Sequence, residues 1–277
     1  MPLGKLPARH LLSGNRLMEN SVTLIHLSNC QCEGLIVPDW SIQSGDSWCV
    51  FGRNGSGKQL IDQLLVGEIL PSQGVVERAL TPDQIALISF ERQQATYEEE
   101  WRLAATDIIP EDEWGTRVAE FLPQESLEDP LIDQLNMRHR LQAFYRELST
   151  GESRKLMVLK ALLDEAELLI CDNPFDSLDQ GTVQALSETF RLAVASGVAV
   201  ILLLSNRSDI PKWVEKFGHV DAGLLRAFAG SRDAQLVQLE AAIGTGAIVQ
   251  PGIPEDAIRL EAYDAPYIAD LNQCTVR

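Results

Sequence analysis

The sequence predicts an α/β fold: a parallel sheet covered by helices on both faces, with a helical lobe inserted into it. Three observations carry this. Leu168-Leu169-Ile170-Cys171 and Val198 to Leu204 are short continuous apolar runs, each preceded by a helical stretch, the pattern of strands buried on both faces. Gly52-Arg53-Asn54-Gly55-Ser56-Gly57-Lys58 is glycine-rich and lies between a strand and a helix. Residues 91–130 then break the alternation with 12 acids against three bases, and read as surface helices and loops with a solvated acidic face.

The elements follow in chain order. Val22 to Leu27 alternates as a strand, and Ser47 to Phe51 is a second strand after the turn Ser44-Gly45-Asp46. A helix runs from Lys58 to near Glu68, and Pro71-Ser72-Gln73-Gly74 is a turn. Ile85 to Phe90 is another apolar strand. Leu148-Ser149-Thr150-Gly151-Glu152 opens a helix through Leu163, and His219 to Phe228 reads as a closing hairpin. Residues 231–266 hold a short amphipathic helix and a linker rich in Pro, Gly and Asp.

The chain has 277 residues with 23 Lys+Arg against 40 Asp+Glu, a net charge of −17. That length allows one large or two small domains. The acidity argues against a general nucleic-acid binder or a partner of anionic membranes. It leaves room for a phosphate held by backbone amides and one lysine. The most apolar stretch, Leu192 to Leu204, falls short of the ~20 residues that a membrane span needs. Residues 1–20 carry Lys5, Arg9 and Arg16 without a continuous apolar run or a cleavage site, so they read as an extension ahead of a second candidate start, Met18. Five cysteines in this length are no disulfide framework. Cys30 and Cys32 read as strand thiols rather than metal ligands, because no second Cys/His pair lies nearby.

The strongest motif is Gly52 to Lys58, which matches G-x-x-x-x-G-K. Glycines let backbone N–H groups turn inward around phosphates, the helix N-terminus adds partial positive charge, and Lys58 reaches the β/γ-phosphates. The next position, where a Ser or Thr hydroxyl ligates Mg²⁺, is Gln59, so weakened metal binding is expected. Leu168 to Asp172 is an apolar strand ending in a carboxylate, the Walker-B arrangement, with Asp172 as Mg²⁺ ligand. Ser149 and Gly151 at a helix start offer a second anion cradle; an ordinary Ser N-cap is the alternative.

These motifs in this order resemble the ATP-binding cassette (ABC) family. The resemblance covers residues 21–230. Leu148-Ser149-Thr150-Gly151-Glu152 is similar to the family's signature, Ser177-Leu178-Asp179 to its D-loop, and residues 91–150 to its helical subdomain. It implies a P-loop NTPase core of ABC type with an N-terminal antiparallel β portion. It implies ATP and Mg²⁺ as cofactors, and a second cassette, in cis or as a dimer, whose P-loop faces Ser149 and Gly151. Ser89 to Gln94 with Glu99-Glu100-Trp101, Leu148 to Lys155, and Ser205 to Pro211 look like the first cassette of ModF-type proteins. Those are soluble tandem cassettes associated with molybdate transport and sometimes labelled photorepair proteins. Residues 267–277 resemble the opening strand of a further, truncated cassette. A cytoplasmic location is implied, reaching a membrane only through a permease partner.

Several positions depart from the family. Asn173 stands where a glutamate polarises the attacking water, and Asn206 where a switch histidine stands; ModF-like first cassettes share the second change. No aromatic lies at Asn29 to Cys32 to stack on adenine. Strict register puts Phe90 at the Q-loop glutamine, with Glu91, Gln93 and Gln94 close behind. Together these predict nucleotide binding without efficient hydrolysis at the Lys58 site, with the signature completing a partner's site. The competing expectations are a transporter's nucleotide-binding subunit, for molybdate or another oxyanion, and a dead pseudo-cassette acting as an interaction module. A ribosome-binding role is disfavoured, because residues 231–277 hold three arginines against seven acids.

Overall fold

The computed structural model describes residues 22–104 and 115–244. Residues 1–20, Asp107, Glu111 to Glu113, the rest of the linker from 245 and the segment 267–277 lie outside the described residues.

Among the described residues nine strands form one sheet, in the order β4-β1-β2-β9-β8-β3-β7-β6-β5. Its antiparallel end comprises β1 (Thr23–Cys32), β2 (Leu35–Gln43) and β4 (Gln73–Arg78). Its parallel part comprises β3 (Ser47–Phe51), β5 (Ile85–Ile88), β6 (Leu168–Asp172), β7 (Ala199–Leu204) and β8 (Lys216–Asp221). β9 (Leu224–Ala227) closes an antiparallel hairpin with β8 and meets β2 at Ile36 and Leu224. The helices are α1 (Lys58–Val66), α2 (Phe90–Ala104), α3 (Pro130–Gln134), α4 (Thr150–Leu163), α5 (Gln180–Ala195) and α6 (Arg232–Gly244). α2, α3 and the start of α4 interrupt the sheet between β5 and β6, which is the inserted helical lobe.

The continuous apolar runs are explained by burial on both faces. Val200, Leu202 and Leu204 of β7 point with Phe51 and Leu169 into a core against α4 and α5, where Leu159, Leu186 and Phe190 fill the space. Ile201 and Leu203 point the other way, with Val50 and Ile170, onto Ile61, Leu64 and Leu65 of α1 and onto Trp40 and Ile42 of β2. Each fully buried aliphatic side chain of this kind contributes about 1.5–3 kcal/mol.

Four boundaries differ from the sequence reading. The first strand runs on to Cys32, because β2 continues to pair with it. β2 has no clear sequence signal, because Pro38-Asp39 breaks its alternation. Val37 and Asp39, on either side of the proline, pair with β1, and β2 touches β9 only at Ile36, so Pro38 sits in what is nearly an edge strand. Gln73-Gly74 opens β4 rather than completing a turn. The apolar strand stops at Ile88, where Ser89 Oγ accepts from the Arg92 N–H at 3.2 Å and starts α2 at Phe90. At the other end of the cassette, residues 232–244 form a helix docked on β8. Gln235 Oε1 accepts from the Phe217 N–H (2.9 Å), and Arg232 Nε donates to the Val214 carbonyl (2.8 Å).

Candidate functional site

The glycine-rich loop leaves β3 between its two parallel neighbours, β7 and β8. The Gly52 N–H donates to the Leu204 carbonyl at 3.0 Å. A Cβ on Gly52 would sit 2.4 Å from both Ser56 Oγ and Val220 Cγ1, so any side chain here would have to displace both. Gly55 (φ 78°) and Gly57 (φ 106°) take left-handed backbone that side chains disfavour. Gly57 is the N-cap of α1 and offers no side-chain cap, which leaves the first N–H groups of the helix open to the loop. The hairpin turn braces the loop from behind, with the Gly223 N–H donating to the Ser56 carbonyl at 3.1 Å. Ser56 Oγ is buried without a partner. An open helix start, an orphaned hydroxyl and a buried lysine together fit a phosphate chain.

Lys58 is buried and already engaged. Its Nζ donates to the Gly52 carbonyl (2.5 Å) and to Ser205 Oγ, and Ser205 Oγ donates on to Asn54 Oδ1 at 3.1 Å. Burial pulls the Lys58 ammonium below the ordinary lysine value, while Asp172 and Asp176 oppose that shift. Burial likewise pushes the Asp172 carboxyl up; Lys58 counters this, and Glu91 and Asp176 add to it.

Asn173 follows Asp172 in left-handed backbone (φ 42°). Both ends of its amide are used. Its Nδ2 donates to Asp172 Oδ1 at 2.9 Å, and its Oδ1 accepts from the Ser205 N–H at 3.0 Å. A glutamate could accept from Ser205 but could not donate to Asp172. Asn206 does not join this network; its side chain accepts from the Ser208 N–H at 3.2 Å and caps the turn 207–209. Gln59 and Arg53 are exposed. Among the described residues no group of three or more His, Cys, Asp or Glu is arranged to hold a metal by itself. Cys30 and Cys32 are buried free thiols in β1.

The signature residues lie apart from the chain's own loop. Ser149 caps α4 in a capping box: Ser149 Oγ accepts from the Glu152 N–H (3.2 Å) and Glu152 Oε2 accepts from the Ser149 N–H (2.9 Å). Arg140 Nη2 also donates to Glu152 Oε2, at 3.2 Å. A Cβ on Gly151 would lie 3.4 Å from Thr182 Cγ2 and 3.5 Å from Leu178 Cδ2, so the signature turn packs on the segment Ser177-Leu178-Asp179. Asp179 in turn caps α5 by accepting from the Thr182 N–H at 3.0 Å. Of the Q-loop candidates, Phe90, Glu91 and Gln94 are exposed on α2. Gln93 is buried against α4, where its Nε2 donates to the Thr150 carbonyl (3.0 Å) and to Ser153 Oγ.

Two residues beside the loop escaped the sequence reading. Ser205 links Lys58, Asn54 and Asn173; the available signal was a hydroxyl ending the buried strand that neighbours β3. Asp62, one turn beyond Lys58 on α1, is 4% exposed, and its Oδ1 has no partner. Burial, then the nearby Asp172, push its carboxyl up to about 7. A lone Asp within an apolar helix face was its only signal.

Comparison with known proteins agrees with this geometry. The ABC transporter family profile matches residues 37–176. The ABC transporter ATP-binding protein ModF of Escherichia coli (strain K12) is 35% identical over 210 residues, covering 74% of this chain and 42% of that protein. The zinc import ATP-binding protein ZnuC of Psychrobacter cryohalolentis is 29% identical over 177 residues, covering 60% of this chain and 66% of that protein. The chain therefore spans less than half the length of the first relative and just under two thirds of the second. A solved ATP-binding subunit of an ABC transporter superposes with a TM-score of 0.59 at 23% identity, over 79% of this chain and all of that one, a likeness of fold. With the phosphate loop, the Asp172 strand and the inserted lobe in one sheet, the chain belongs to the ABC transporter family as an ATP-binding cassette.

Proposed function

We propose that this chain is one cassette of a soluble tandem ABC protein. In this reading it holds Mg-ATP at a site of weakened catalysis and supplies its signature to a second cassette. Gly55, Gly57 and the open N–H groups of α1 receive phosphate oxygens, and Lys58 turns from the Gly52 carbonyl and Ser205 to the β/γ-phosphates. Asp172, with Gln59 as a poorer neighbour than a hydroxyl, would hold magnesium. When bound, the ion neutralises phosphate charge.

The observation that carries the reading is Asn173. An amide that donates to Asp172 and accepts from Ser205 has no basic lone pair for a water proton. The general-base contribution, about 10²–10⁴-fold, is therefore missing. The two-cassette arrangement is supported by the ModF match, which leaves more than half of that relative outside the aligned part.

The test is calorimetric titration of Mg-ATP into the chain and its Lys58→Ala variant, alongside a phosphate-release assay. The expected result is binding that weakens at least about 30-fold in the variant, the loss of a charge-assisted contact, with negligible release. Release near about 1 s⁻¹ or faster would overturn the degenerate-site reading. Absence of binding would instead favour a pseudo-cassette. In the complete tandem protein, Ser149→Arg should abolish turnover at the partner site.

A second reading, as the nucleotide-binding subunit of a transporter, is favoured by Phe90, Tyr97 and Trp101. These three exposed aromatics of α2 lie along the inserted lobe. Among the described residues no helix is long and apolar enough to cross a membrane, and this reading calls for a permease. Co-purification with a permease discriminates the two.

A further inference from the structure

Arg154 on α4 is 3% exposed, and no step of the reading above uses it. Its Nη1 lies within hydrogen-bond distance of three carbonyl oxygens in the turn after β6: Asn173 (3.3 Å), Pro174 (3.3 Å) and Asp176 (3.2 Å). Its Nε donates to Gln93 Oε1 at 3.4 Å. Gln93 continues to the Thr150 carbonyl (3.0 Å) and Ser153 Oγ, while Tyr145 donates its hydroxyl to the Gln93 carbonyl (3.3 Å). One buried guanidinium therefore joins three segments: the turn carrying Asn173, the first turn of α2 and the signature end of α4.

This cluster lies at the end of a longer path. Lys58 donates to Ser205 Oγ, the Ser205 N–H donates to Asn173 Oδ1, and the Asn173 carbonyl accepts from Arg154. Arg154 sits four residues after Thr150 on the same helix, so the phosphate loop and the signature are the two ends of a hydrogen-bonded chain within one cassette. A second contact runs beside it, from Gly151 onto Leu178 and Thr182. A buried charge costs free energy unless its donors are satisfied, and here the acceptors are main-chain carbonyls of the turn after β6, which Asn173 enters in left-handed backbone. A lysine has one nitrogen in place of the fork and cannot reach both this turn and Gln93.

We propose that Arg154 is a positioning residue: it ties the Asn173 turn to the start of α4, so that occupancy of the Lys58 site sets how Ser149 to Glu152 are presented to a facing cassette. The proposal rests on the reading that the Lys58 site takes nucleotide. When phosphate draws Lys58 away from Ser205, the constraint on Ser205 and Asn173 changes, and Arg154 carries that change to the signature turn.

Hydrogen exchange on the whole chain, with and without Mg-ATP, tests it in wild type, Arg154→Met and Arg154→Lys. In wild type, Mg-ATP should slow exchange both in residues 52–60 and in residues 148–153. In Arg154→Met the protection at 52–60 should remain, and the ATP-dependent protection at 148–153 should be lost. Arg154→Lys keeps the charge and the stem, and decides the matter if the methionine variant does not fold; it should also lose ATP-dependent protection at 148–153. A purely structural role would raise exchange at 148–153 equally with and without nucleotide, leaving the difference intact, and that result overturns the proposal. Wild-type protection at 52–60 without any at 148–153 overturns it while leaving the nucleotide reading standing. No protection at either place removes both.

Discussion

Asp62→Asn isolates a buried carboxyl that meets one backbone N–H, from Gln63, and no cation. The Asp62 carboxyl is 4% exposed, its Oδ1 has no hydrogen-bond partner, and the charged groups acting on it are Asp172, Glu91 and Glu68, all acids. Burial and those neighbours raise its pKa from 3.8 to about 7. The folded chain thus holds a proton that the unfolded chain has released between these two values. The stability linked to this proton is fully present below the unfolded value and is lost as pH rises through the folded one. A rise from 3.8 to about 7 corresponds to a ceiling of about 4 kcal/mol, reduced to about 2 kcal/mol by relaxation and solvent at the loop. Asparagine keeps the shape and removes the titration. Urea unfolding followed by tryptophan fluorescence should show the variant gaining on wild type from near zero at about pH 4 to about 2 kcal/mol above about pH 7.5. A difference that stays flat across this range, or a variant less stable at alkaline pH, would refute the reasoning.

Three further outcomes follow from other contacts. Gly52→Ala places a methyl 2.4 Å from Ser56 Oγ and Val220 Cγ1; overpacking of this kind costs about 1–3 kcal/mol and should abolish Mg-ATP binding by calorimetry. Asp46 is buried, accepts from the Gln43 N–H (2.9 Å) and Trp48 Nε1 (3.1 Å), and pairs with Lys216 at 2.7 Å. Asp46→Ala leaves all three groups unmatched and should cost about 3 kcal/mol in urea unfolding, with Asp46→Asn losing less. Asn173→Glu restores only one of the positions that depart from the family, with Gln59 and Asn206 unchanged, so phosphate release should remain within about 10-fold of background; an increase beyond about 100-fold would show that the glutamate alone was lacking.

The phosphate loop was legible because its chemistry demands residues at fixed spacing. Gly52, Gly57 and Lys58 each answer a separate geometric need, and all three are local in sequence. The parallel strands β6 and β7 were legible for a related reason, since burial on both faces leaves an uninterrupted apolar run. β2 was not, because its proline is tolerated only where the second neighbouring strand, β9, pairs no further than Ile36, a fact of tertiary pairing. Gln93 could be placed near the loop but not oriented; its direction is set by Ser153 and Arg154, some 60 residues away. Ser205 and Asp62 depend equally on contacts between distant segments. Asn206, at the switch-histidine position, accepts from the Ser208 N–H as a local cap, and the residue before it makes the contact with Lys58.

On the proposed reading, the resting position of Lys58 makes phosphate entry in part an exchange of partners. The ammonium gives two of its three N–H groups to a carbonyl and a hydroxyl, and the Gly52 carbonyl, if vacated, must find water or an N–H in its place. Much of the gross attraction between lysine and phosphate is therefore spent on contacts already made. What the arrangement gains is discrimination: a weakly charged or poorly fitting anion cannot outbid the internal partners. In their company the loop keeps its shape when no phosphate is near.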